Sequence, residues 1–109
     1  MSEWVKICAV SDLIADAGIP ALVNGKAIAL FYVTEQVYAV SNYDPIGQAN
    51  VISRGIVGSI KGELVVASPL YKEHYSLKTG QCLEQPNAAL TVYPAKINNG
   101  SVLVQTVSI

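Results

Sequence analysis

The sequence predicts an all-β fold, an antiparallel sandwich or barrel, from three observations. Turn dipeptides recur at short intervals, as Asn24-Gly25, Lys61-Gly62, Thr79-Gly80 and Asn98-Asn99-Gly100. The residues flanking them have high strand propensity, and helix signals are almost absent. Taken in order, residues 11–18 hold the only helical hint, with Ser11 as N-cap and Gly18 as stop, and amount to one turn at most. Asn24-Gly25 suits a two-residue turn with positive φ angles, which predicts a hairpin of strands 21–23 and 26–32. Gln36-Val37-Tyr38-Ala39-Val40 alternates as a half-buried strand should and follows a Thr34-Glu35 turn, extending the same sheet. A second hairpin over 57–60 and 63–67 turns at Lys61-Gly62, and a third over 74–77 and 81–83 turns at residues 78–80. Strands over 90–93, 95–97 and 101–107 are expected to return to the first sheet.

The chain has 109 residues, enough for one core, so residues 1–109 are read as a single domain. Half of it is hydrophobic and its formal net charge is −1, which argues against disorder and against a nucleic-acid surface. No apolar run approaches the roughly 20 residues that cross a bilayer, and residues 1–4 do not begin a signal peptide. A cytoplasmic protein with no membrane partner is the expectation. Cys8 and Cys82 form no CxxC pair and are read as buried free thiols. Asn99-Gly100-Ser101 is read as a turn, although it matches a glycosylation acceptor formally.

Two segments resist strand assignment, 42–54 and 68–72, and each leaves the end of a confident strand, where functional loops tend to sit. They read Ser41-Asn42-Tyr43-Asp44-Pro45-Ile46-Gly47 and Ala67-Ser68-Pro69-Leu70-Tyr71-Lys72-Glu73-His74-Tyr75-Ser76-Leu77-Lys78-Thr79-Gly80. Pro45 and Pro69 stiffen the tips. This framework resembles that of Rieske domains, whose loops commonly read Asn-x-Cys-Pro-His-x-Gly and Cys-Pro-x-His followed by an aromatic, a leucine and Thr-Gly. Asn42, Pro45, Gly47, Pro69, Tyr75, Leu77, Thr79 and Gly80 are kept. The resemblance assigns Asp44, Ile46, Ser68 and Tyr71 to the cluster-ligand positions, so a Rieske-like fold is expected, with degenerate ligand positions and no metal site. A two-iron centre of this kind takes two thiolates and two imidazoles, and the chain has one histidine.

Beyond the framework, Met1-Ser2-Glu3-Trp4-Val5-Lys6-Ile7-Cys8, Ser41-Asn42-Tyr43-Asp44-Pro45, Val51-Ile52-Ser53-Arg54-Gly55 and Gly62-Glu63-Leu64-Val65-Val66-Ala67-Ser68-Pro69-Leu70 resemble the small subunits of assimilatory NAD(P)H-dependent nitrite reductases. That resemblance runs from Trp4 to Val104. It implies a large-subunit partner that carries flavin, an iron–sulfur cluster and sirohaem and reduces nitrite to ammonium in nitrogen assimilation. It also implies no cofactor and no catalytic residue in the present chain. The alternative is a stand-alone ferredoxin-like electron carrier with unusual ligands, and a weaker one is a small-molecule sensor using the space between the loops.

Tyr43, Pro45, Ile46, Pro69, Leu70 and Tyr71 are candidate partner-binding residues, being apolar and aromatic groups gathered at one end of the fold. Packing of Ile46 and Leu70 beneath the loops is the competing use. His74 lacks a nucleophile at a diagnostic spacing and is read as structural or exposed. Asp44, Ser68 and Tyr71 offer a hard cation a single carboxylate, too little charge to hold it. Arg54, Lys72, Glu73 and Lys78 are read as a solvated rim, with electrostatic docking to an acidic large subunit as the lesser alternative.

Overall fold

A computed structural model describes residues 4–70 and 72–106. Twelve strands make up nearly all the regular structure, in four antiparallel sheets. Strands β2 (Gly18–Val23), β3 (Lys26–Val33) and β4 (Gln36–Ser41) form a meander, and β10 (Val92–Tyr93) joins on the far side of β4. Strands β7 (Ile56–Ile60), β8 (Glu63–Ala67) and β9 (His74–Ser76) form a second sheet. The N-terminal strand β1 (Val5–Ala9) pairs with β12 (Ser101–Val104), which also pairs with β11 (Ala95–Asn98). Two short strands, β5 (Tyr43–Asp44) and β6 (Ala49–Asn50), close the first loop.

The four-stranded sheet is the middle layer. Along β3, Ala29, Phe31 and Val33 face a core shared with Val66, Tyr75, Leu77, Cys82 and Leu90, while Ile28 and Leu30 face a second core with Val102 and Val104. Burial on both faces explains why β3 reads as an almost continuous apolar run, since a half-solvated strand would alternate. Asn24 and Gly25, and likewise Lys61 and Gly62, take positive φ angles, so both predicted hairpins turn as their dipeptides require.

Three expectations are corrected. Residues 11–18 do not form a helical turn capped by Ser11; a 3-10 turn runs over Val10–Asp12, with the Asp12 carboxylate accepting from the Ala9 N–H at 3.3 Å. The strands near 95–97 and 101–104 do not return to the first sheet but join β1 in a sheet of their own. The partner expected at 81–83 does lie antiparallel to β9, with Ser76 N–H donating to the Gln81 carbonyl at 2.9 Å and Leu83 N–H to the His74 carbonyl at 2.8 Å, but it is shortened to the single bridge of Tyr75 to Cys82. Beyond it the chain turns into a compact loop, where the Gln81 side-chain nitrogen shares its two hydrogens among the carbonyls of Cys82, Pro86 and Ala88. Of the C-terminal run, Thr106 is buried and accepts from Asn24 Nδ2 at 2.9 Å, and residues 107–109 lie outside the described residues.

Among the described residues no helix is long and apolar enough to cross a membrane. Cys82 is buried and Cys8 half-buried, both free, and burial pushes both thiols up, with Asp12 adding to the effect at Cys8.

Candidate functional site

The two loops are built alike. Asp44 and Ser68 each precede a proline, and each accepts the backbone N–H two residues on: Ile46 to Asp44 Oδ1 at 2.9 Å and Leu70 to Ser68 Oγ at 3.3 Å. The backbone then closes in the same way, Gln48 N–H to the Asp44 carbonyl at 2.7 Å and Lys72 N–H to the Ser68 carbonyl at 3.0 Å. Gln48 and Lys72 both sit at positive φ, 60° and 63°. These are side-chain-capped turns, in which a short polar side chain stands in for a backbone acceptor. Asn42 fixes the root of the first loop, its Oδ1 accepting from Ser53 N–H at 2.7 Å.

Asp44 joins the loops to each other and to the second sheet. It is fully buried; the Ser68 hydroxyl donates to its Oδ2 and the Tyr75 hydroxyl donates to its Oδ1 at 2.9 Å. Burial pushes the Asp44 carboxyl up, but donors from Ser68, Gly47, Tyr75 and Ile46 outweigh it, so the group ionises below the usual aspartate range. Tyr75 moves the other way, raised by burial and by the Asp44 carboxylate that accepts its hydrogen bond.

The pH dependence of stability follows from these two shifts. Asp44, whose pKa is depressed, contributes fully above the unfolded-chain value of about 3.9, and the contribution is lost as pH falls through the folded value. Tyr75, whose pKa is raised, contributes fully below about 10, and the contribution is lost as pH rises through the folded value. Melting midpoints are expected to fall on both sides of a neutral plateau. Burial raises Tyr93 as well, so comparison with Tyr75→Phe isolates Tyr75: the variant loses less on the alkaline side, and identical alkaline slopes would refute the assignment.

The expected partner-binding residues divide by exposure. Tyr43, Pro69 and Leu70 are exposed, Pro45 is half-buried, and Ile46 is half-buried and packs on the core beneath. Leu70 lies across Gly47, whose missing Cβ leaves room for the Leu70 Cδ1. Tyr71 lies outside the described residues. His74 is half-buried and paired: its Nδ1 is 2.6 Å from Glu84 Oε2 and its N–H donates to Glu84 Oε1 at 2.8 Å. In the sequence Tyr75 stands only as a framework aromatic, and its bond to Asp44 has no local signal at position 75. The signal within reach was Asp44 before Pro45, which marks a side-chain-capped turn.

The positions assigned to cluster ligands hold a carboxylate, a hydrocarbon, a hydroxyl and, at Tyr71, a phenol. Both Asp44 oxygens already accept hydrogen bonds from the protein. Neither thiolate nor imidazole is supplied, so these residues do not fit a Rieske-type two-iron cluster.

The family model described as a Rieske-like [2Fe-2S] domain matches residues 3–105. The chain is 40% identical over 104 residues to a nitrite reductase (NADH) small subunit from Salmonella typhimurium, covering 94% of this chain and 96% of that protein. It is 41% identical over 101 residues to a nitrite reductase [NAD(P)H] large subunit from Klebsiella oxytoca, covering 93% of this chain and 11% of that protein. A solution structure of a nitrite reductase [NAD(P)H] small subunit from Erwinia carotovora superposes with a TM-score of 0.83 at 40% identity, covering 100% of this chain and 85% of that one.

Proposed function

The chain belongs to the family of nitrite reductase small subunits built on the Rieske-like domain, and from that premise we propose that it is the non-catalytic small subunit of a cytoplasmic NAD(P)H-dependent nitrite reductase. In this reading it holds no cofactor. Flavin, iron–sulfur cluster and sirohaem reside in the large subunit, which reduces nitrite to ammonium for nitrogen assimilation. The chain contributes by docking, with Tyr43, Pro45, Ile46, Pro69, Leu70 and Tyr71 as the loop-tip contacts.

One observation carries the reading. In the Klebsiella oxytoca relative, a segment matching 93% of this chain is part of a protein named as a large subunit. Two modules found in one polypeptide operate side by side and in equal number. The chemistry of the loops supports the same reading, because Asp44, Ser68 and Tyr75 tie the loop ends together by hydrogen bonds and give a fixed contact surface.

NADH-driven nitrite reduction by purified large subunit, titrated with this chain, tests the proposal. Activity is expected to rise and level off at one chain per large subunit. Unchanged activity without a complex would overturn it.

A further inference from the structure

The outer face of the β7–β9 sheet carries a feature that the loop tips reach only through Pro69. Register pairs Ile56 with Ala67 and Ala67 with His74, so these three form one row across the sheet. The adjacent row of Val57, Val66 and Tyr75 packs into the core, which turns the first row outward. Arg54, Pro69 and Lys72 wall the row, with Ser68 at its inner end, around a hollow of about 430 Å³. Ile56 is 77% exposed there.

Strand β7 is also an unprotected edge. Among the described residues it pairs with β8 alone, and alternation from the Lys61-Gly62 turn leaves the backbone groups of Val57 and Ser59 pointing away from β8. Its five residues, Ile-Val-Gly-Ser-Ile, carry no charge and no proline, the usual means of blunting an edge. The hollow and the open edge share Ile56.

The charges indicate what covers them. Glu84 is taken up by its contact with His74 and Glu73 lies next to Lys72 in sequence, but among the described residues neither Arg54 nor Lys72 enters an ion pair. On the partner reading above, we infer that this face receives an extended segment of the large subunit, acidic and apolar in character. The segment adds a strand to β7, seats an apolar side chain over Ile56 and Ala67, and presents carboxylates to Arg54 and Lys72. A second copy of this chain fits less well, because a self-complementary contact would bring the same cations together.

The test is the affinity of purified large subunit for the wild-type chain, for Ile56→Glu, and for the double variant Arg54→Glu/Lys72→Glu. Ile97→Glu serves as control, on β11 at the opposite side of the middle sheet. The two groove variants are expected to bind about ten-fold or more weakly, with the control within about two-fold of wild type. All substituted positions are exposed, so melting points of the free variants should stay near wild type. Wild-type binding with undiminished binding by both groove variants would overturn the inference and leave the partner reading standing. No wild-type binding would remove the partner reading and the inference with it. Self-association of the free chain that Ile56→Glu abolishes would assign the face to a second copy and overturn the inference.

Discussion

Asp44→Ala is expected to destabilise the chain by about 3–5 kcal/mol, lowering the melting point by roughly 15 °C or more. The substitution removes the acceptor for the Tyr75 hydroxyl, the Ser68 hydroxyl and the Ile46 N–H. All lie in or against the core, where a donor without a partner costs about 1–3 kcal/mol. Asp44→Asn keeps the volume but turns one acceptor into a donor, so its loss should be smaller, about 1–3 kcal/mol. Tyr75→Phe removes a single hydroxyl and should cost about 1 kcal/mol while Asp44 keeps its other donors. Thermal and urea unfolding of the three variants checks the order. An Asp44→Ala melting point within a few degrees of wild type would show that the loops are not tied together through this carboxylate.

Gly80→Ala should be comparably damaging, for a steric reason. Gly80 sits at φ +82°, and an added Cβ would run into the carbonyl oxygen of Leu90. That contact cannot relax easily, because Gly80 N–H donates to the Ser76 carbonyl at 2.8 Å and Leu90 N–H donates to the Gly80 carbonyl at 2.8 Å. The cost is expected to reach about 3 kcal/mol or more, the left-handed penalty plus the clash. Gly25→Ala is the matched control: φ is +80° but nothing lies within 4 Å of the new methyl. It should cost about 1–2 kcal/mol, the backbone term alone. Equal losses in the two variants would remove the clash from the explanation. The Thr79-Gly80 pair of the Rieske-like framework is accounted for by this turn, independently of any metal.

The hairpins were legible in the sequence because their turns are encoded locally. Asn24-Gly25 and Lys61-Gly62 each supply two residues at positive φ, and the alternation beside them sets the register. The third sheet was not legible. It joins Val5–Ala9 to Ser101–Val104 from opposite ends of the chain, and no local pattern states which distant strand completes a ladder. The segment 81–83 has strand composition and pairs with β9 as expected, but only over one bridge, because the chain turns into the loop held by the Gln81 side chain directly after it.

The site was legible by a similar division. Two prolines after short polar residues mark two tips, and the substituted ligand positions follow from the resemblance. The bonds from Ser68 and Tyr75 to Asp44 were not legible, since they span 24 and 31 residues and depend on how the second sheet lies against the first loop. The groove beside β7 was not legible: its cations read as rim charge, with docking to an acidic partner as the lesser alternative, and nothing local placed Ile56 among them. Arg54 and Lys72 acquire a common purpose once Ile56, Ala67 and His74 are seen in one row.

The central claim is that hydrogen bonds among Asp44, Ser68 and Tyr75 hold the two loops where a Rieske domain would use a cluster. The most direct measurement is iron and sulfide content of the purified chain, with its visible spectrum, after anaerobic incubation with iron and sulfide. A colourless protein without stoichiometric iron and with an unchanged melting point is expected. Two irons per chain with a cluster-like visible spectrum would contradict it and make the chain an electron carrier.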